Sequence, residues 1–184
     1  KRVAFALCQP KEAGRKPLRC VDVGMQKLVA AHSSLEAELR HSLRQGDMDL
    51  HYQAQVDRAR HIMGAEVLVR WHHPQRGVVL PAEFIPLAEK NGLIHPIGQW
   101  VLDNACLQLA IWASQPVMAQ LTIAINVSVC EFQHPDFVTN VLATIARTGA
   151  NPQLLKLEIT ETLLLADVEN IILKMITLQS HGIR

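Results

Sequence analysis

Three stretches of this chain alternate apolar and polar residues with period two, and each carries an oxygen-bearing side chain on its polar face. In Ala65 to Trp71, residues Ala65, Val67, Val69 and Trp71 share one face, while Glu66, Leu68 and Arg70 share the other. In Leu121 to Val127, the apolar set is Leu121, Ile123, Ile125 and Val127, opposite Thr122, Ala124 and Asn126. In Leu155 to Ile159, the set Leu155, Leu157 and Ile159 opposes Lys156, Glu158 and Thr160. β-Branched residues in these runs favour strands over helices. One such strand is explained by a solvated polar face. Three of them imply a shared shell of helices on the apolar side and an enclosed polar side, where carboxylates need partners or a ligand. Glu66, Asn126 and Glu158 are hard oxygen donors, the kind that Mg²⁺ or Mn²⁺ prefers. A β/α barrel builds its site from such residues at the C-terminal ends of successive strands.

Between these strands the spacing predicts helices, as an α/β barrel requires. Ser33 and Glu36 have capping-box spacing, with Leu35, Leu39 and Leu43 on one face and Gly46 after the end. Leu50 to Val56 alternates as a strand, with His51, Gln53 and Gln55 on its polar face, and Arg58 to His61 turn it into an antiparallel hairpin with the Glu66 strand. His72 and His73 read as loop residues rather than metal ligands, because neighbours in extended chain point to opposite sides. Further helices are expected over Glu83–Lys90 and Pro96–Ala113, from Pro135 to Gly149, and from about Asp167 to Ser180. The last is expected to bury Val168, Ile171, Ile172 and Met175.

Composition limits what this domain acts on. A formal net charge of +1 and no long basic run leave no electrostatic footprint for duplex nucleic acid. No apolar run approaches the roughly 20 residues of a membrane span. Cys8, Cys20, Cys106 and Cys130 are scattered without a CxxC pair, the pattern of reduced thiols. A cytoplasmic location is therefore expected, and a membrane anchor upstream of Lys1 is compatible with it.

The chain resembles the EAL family of cyclic di-GMP phosphodiesterases. The likeness is carried by His51-Tyr52-Gln53, by Glu66-Val67-Leu68-Val69-Arg70-Trp71, and by Pro81 through Glu89. It continues through Ile97 to Leu102, Asn126-Val127-Ser128 and Leu157 to Glu161, so it extends over 33–184. The resemblance implies a TIM-barrel-like EAL fold with an antiparallel first strand, of which the N-terminal part is present. It also implies that Glu66, Asn126 and Glu158 ligate the metal, that Gln53, Leu68 and Arg70 contact the dinucleotide, and that Glu161 positions a later loop. Without the family, Glu161 reads equally well as a carboxylate favoured by a helix N-terminus. Residues 1–32, through Val3 to Leu7 and Lys11 to Arg15, resemble the last helix and turn of a GGDEF domain.

Several positions depart from the family pattern. The signature triplet reads Glu66-Val67-Leu68, and Ala54 replaces a proline, which is expected to loosen its strand. Cys130 replaces an arginine, and Glu131 adds a negative charge expected to weaken binding of an anionic ligand. The family's Asp-Asp pair, lysine and glutamate belong to strands beyond Arg184. The expectation is thus a parent phosphodiesterase whose given stretch is inactive alone and self-associates through the open edge Leu154 to Thr160 or stays partly disordered. The alternatives are a degenerate module that binds cyclic di-GMP or a protein without cutting, and another barrel chemistry on a phosphate ester.

Overall fold

A computed structural model of the chain describes residues 23–159 and 168–184. Helix α1 (Val23–Gln45) comes first, followed by β1 (Met48–Val56), β2 (Ile62–His73) and β3 (Gly77–Val79). Then come α2 (Pro81–Lys90), α3 (Ile94–Ala113), β4 (Thr122–Val127), α4 (Val129–Gln133) and α5 (Phe137–Thr148), and finally β5 (Leu155–Ile159) and α6 (Val168–Ser180). The main path of the sheet runs β1-β2-β4-β5, with β3 attached to β2. β1 is antiparallel to β2, whereas β2, β4 and β5 run parallel, so the expected α/β class and antiparallel first strand are both present.

The period-two reading holds for β2, whereas on β4 Thr122 and Ala124 of the expected polar face are buried along with the apolar set. Ala65, Val67 and Trp71 are buried on one face of β2, and Ile123, Ile125, Val127 and Leu155 join them in the core. Phe84 and Ala88 of α2 and Ile97, Val101, Ala105 and Leu109 of α3 close over that face. Where α3 meets α5, one carboxylate ties the two helices. Asp103 Oδ1 accepts from Gln99 Nε2 at 2.7 Å, Thr144 Oγ1 at 3.0 Å and Arg147 Nη2 at 2.7 Å. Burial beside this network, with the Asp103 charge nearby, pushes the Cys106 thiol up to about 12, so it behaves as an inert core residue.

Four expectations need correction. Helix α1 (Val23–Gln45) already runs through Ser33, so the helix does not begin at the expected capping-box position. His72 and His73 belong to β2 rather than a loop, because β3 pairs back on them through His72↔Val78 and His73↔Gly77. Ala54 does not loosen β1, whose ladder is unbroken from Met48↔Trp71 to Gln55↔Gly64. Helix α6 meets its expected face only in part: Ile171 is buried and Met175 packs against the core as expected, but Lys174 and Leu178 are also buried, while Val168 and Ile172 are each 47% exposed. Lys174 is held on the buried side by its ammonium, which donates to Phe132 O at 2.8 Å and His134 O at 2.7 Å. A cation at carbonyls closing α4 is favoured by the helix dipole.

The outer edge of β5 is also not wholly open. Leu157 N donates to Arg184 O at 2.7 Å, and Arg184 N donates to Leu155 O at 3.1 Å, so the chain returns after α6 to begin pairing on β5. Among the described residues, no helix is long and apolar enough to cross a membrane. The GGDEF-like stretch 1–32 lies largely outside the described residues, as do Thr160, Glu161 and Asp167.

Candidate active site

Pairing register brings the polar residues together. β1 sets Gln53 opposite Glu66, β4 sets Ala124 beside Glu66, and Asn126 lies beside Glu158 of β5. Asn126, two residues beyond Ala124, therefore shares a face with both glutamates. Its Nδ2 donates to Glu66 Oε1 at 2.7 Å. Asn126 and Glu158 are exposed and Glu66 is half-buried, so the trio stands on the sheet face that the helices leave uncovered.

Sequence reasoning left one member out. Gln55 Nε2 of β1 reaches Glu158 Oε1 of β5 at 3.4 Å. Two strands, β2 and β4, lie between them in the sheet, so this bond exists only because the sheet curls toward a barrel. The signal was legible, since Gln55 lies two residues after Gln53 and must share its face. Each carboxylate of the trio thus receives one amide N–H. Amide donors offset part of the charge and hold both side chains, while each carboxylate keeps a second oxygen for a ligand. Two carboxylates and an amide oxygen on one curved face make an oxygen donor set that fits a hard divalent cation.

The other expected contacts lie further along the same face. Arg70 is half-buried and donates Nη1 to Val69 O at 2.9 Å. Leu68 is half-buried and borders a cavity of about 610 Å³ lined also by Ile85, Ile97 and Val127. A second cavity, of about 270 Å³, is lined by His95, Gln99, His134 and Asn140. Neither cavity is lined by Glu66 or Glu158, and Asn126 borders both. Of the expected residues Leu68 and Asn126 reach a cavity, while Glu66 and Glu158 stand on the open side.

Glu131 has a structural partner. With Ser128 it forms a capping box: Glu131 N donates to Ser128 Oγ at 3.2 Å and Ser128 N donates to Glu131 Oε2 at 3.0 Å. These bonds nucleate α4, and Ser128-x-x-Glu131 carries the capping-box spacing in the sequence. The carboxylate turns toward α3, where a Cβ at Gly98 would overlap Oε1. Burial raises its pKa, the Ser128 bonds oppose that shift, and the Glu89 charge adds to it. It is therefore a structural cap that faces α3.

Comparison with known proteins agrees with this geometry. The family model described as EAL domain matches residues 36–184. An uncharacterised signalling protein of Caulobacter vibrioides is 36% identical over 181 residues, covering 98% of this chain and 22% of its own length. The bifunctional diguanylate cyclase/cyclic di-GMP phosphodiesterase MucR of Pseudomonas aeruginosa is 36% identical over 181 residues, covering 97% of this chain and 26% of its own length. This chain therefore spans about a quarter of the length of those curated relatives. The solved MucR phosphodiesterase in complex with cyclic di-GMP aligns with a TM-score of 0.78 at 38% identity, over 82% of this chain and 61% of that one. With the antiparallel first strand, the three oxygen donors and a family match over 36–184, this chain belongs to the EAL domain family.

Proposed function

We propose that this chain supplies the first half of the catalytic face of a metal-dependent phosphodiesterase that opens cyclic di-GMP to linear pGpG. The observation that carries the reading is the Asn126–Glu66 bond at 2.7 Å with Glu158 beside Asn126 in register. Glu66, Asn126 and Glu158 are the residues that would hold the cation. A divalent ion there, Mg²⁺ or Mn²⁺ by the hardness of its donors, would neutralise charge at the scissile phosphate and acidify water.

The chain's own groups do the rest. Arg70 offers a guanidinium to a substrate phosphate, trading its bond to Val69 O for a charge-assisted one. Leu68 gives an apolar contact beside the ligand, and Gln53 adds an amide from the facing strand. Glu161 belongs to the same assignment as a positioning residue for a later loop. The relationship to MucR supports an upstream cyclase-type domain with residues 1–32 as its tail. A cytosolic setting fits the two free thiols Cys106 and Cys130. Self-association of the isolated stretch through β5 belongs to the same reading.

In the full-length parent protein, Glu66→Gln and Glu158→Gln should each abolish Mg²⁺-dependent release of pGpG, and should also lower the Mn²⁺ bound at equilibrium. Unchanged turnover and unchanged Mn²⁺ binding in both variants would remove the assignment. Tight dinucleotide binding without any cleavage in the wild-type parent would instead establish the non-catalytic module.

A further inference from the structure

We propose that Asp49, His51 and His72 form a second metal site, selective for a borderline divalent ion such as Zn²⁺ and distinct from the hard-cation site at Glu66, Asn126 and Glu158. The β1–β2 register places them together. Asp49 is opposite Arg70 and His51 opposite Leu68, so His72, two residues beyond Arg70, lies diagonal to Asp49 on the same face. His51 Nε2 and His72 Nε2 each stand 3.7 Å from Asp49 Oδ2, and the three ligand atoms all lie within 4.8 Å of one another. Both imidazoles converge on one carboxylate oxygen, yet both are too far for a good hydrogen bond. Ligand bonds of about 2.0–2.2 Å in a tetrahedral site separate the ligand atoms by roughly 3.3 Å, which small side-chain rotations would reach.

The surroundings hold this arrangement in place. Asp49 Oδ1 accepts from Leu50 N at 2.8 Å, which orients the carboxylate and leaves Oδ2 toward the histidines. Arg70, the cation opposite Asp49, sends Nη1 to Val69 O. His72 N donates to Asp47 O at 2.8 Å, fixing the end of β2 against the start of β1. The side chains are 51%, 58% and 48% exposed at His51, Asp49 and His72, so an ion can enter without any opening of the fold. Three ligands leave a fourth position for water or a ligand oxygen.

Donor chemistry separates the two sites. Two imidazoles and one carboxylate favour Zn²⁺, Co²⁺ or Ni²⁺, whereas two carboxylates and an amide favour Mg²⁺ or Mn²⁺. His51 and Gln53 are two residues apart on β1, with partners Leu68 and Glu66, so the second site lies one step along the same face. Its test does not depend on any catalytic activity. The full chain carrying Glu66→Gln and Glu158→Gln, which silences the hard-cation site, is titrated with Zn²⁺ against a chromophoric chelator. The expected result is one equivalent of Zn²⁺ that excess Mg²⁺ does not displace. Adding His51→Ala or His72→Ala should weaken it more than ~100-fold, the upper end for losing a group that only hydrogen-bonds to a metal ligand. Adding His61→Ala, which removes an exposed histidine paired with Asp57 alone, should change nothing. Retention of the Zn²⁺ equivalent in the His51 and His72 variants would overturn the proposal, as would its loss in the His61 variant or its displacement by Mg²⁺.

Discussion

The two faces of β2 obey different rules. One face is closed: Trp71 is fully buried, with its ring centroid 5.9 Å from that of Phe84 of α2, and Val67 and Ala65 continue the core beneath α3. The other face holds Glu66, Leu68 and Arg70, all half-buried, together with amide and imidazole groups from neighbouring strands. The same twelve-residue strand thus anchors the fold through one set of alternating side chains and presents reactive groups through the other. Closeness in sequence says little about consequence here. Adjacent residues should differ more in mutational effect than residues two apart.

The largest contrast sets Trp71 against Glu66. Trp71→Ala should cost about 3–5 kcal/mol by thermal or denaturant unfolding, because it empties a closed, packed site. Glu66→Gln keeps the volume, removes one of two like charges on a curved face, and should leave stability unchanged or slightly raised. Comparable losses from both would show that the polar face is also structural, and the contrast would fail.

A smaller effect probes the boundary where α3 meets α4. Gly98→Ala would ordinarily stabilise a helix by about 1 kcal/mol. Here the new methyl would overlap Glu131 Oε1, so the substitution should instead cost about 1–2 kcal/mol. In a Glu131→Ala background the same change should turn neutral or favourable. Additive effects across this double-mutant cycle would mean that Glu131 is not pressed against α3.

The smallest effect is in pH dependence. The buried Glu131 carboxyl has a raised pKa, so it binds its proton more readily folded than unfolded. Its favourable protonated form is fully present below the ordinary carboxylate range, and that contribution is lost as pH rises through the folded pKa. Glu131→Gln retains an oxygen for Ser128 N and cannot ionise. Thermal midpoints of the wild type should therefore fall relative to this variant as pH rises from about 4 to 8. A difference independent of pH would show that the carboxylate is not paying for burial.

Period two was enough to find β2, β4 and β5 and to choose the buried face of β2, because burial on one side leaves a repeating trace in the sequence, whereas β4 buries Thr122 and Ala124 on its other face as well. That Glu66, Asn126 and Glu158 share one face followed from that alternation plus register. What stayed hidden depends on contacts between residues distant in the chain. Gln55 meets Glu158 only through sheet curl, and Lys174 is buried on α6 where it donates to the carbonyls of Phe132 and His134, about forty residues earlier. The capping box at Ser128 and Glu131 was legible but was passed over, since Glu131 was weighed as a charge near the ligand and not as a cap.

One contact at the far end of β2 has a mechanical meaning. His73 Nε2 meets Glu38 Oε2 of α1 at 2.9 Å, while Gln75 N and Arg76 N both donate to His73 Nδ1, at 3.0 and 3.2 Å. Two backbone donors on Nδ1 leave the proton on Nε2, so the ring works as a fixed pawl between helix and strand. Arg76 adds a second tooth, 3.5 Å from the same Glu38 oxygen. Torque applied along α1 must then either disengage this ratchet or be carried into β2, the strand on which Glu66 and Arg70 ride.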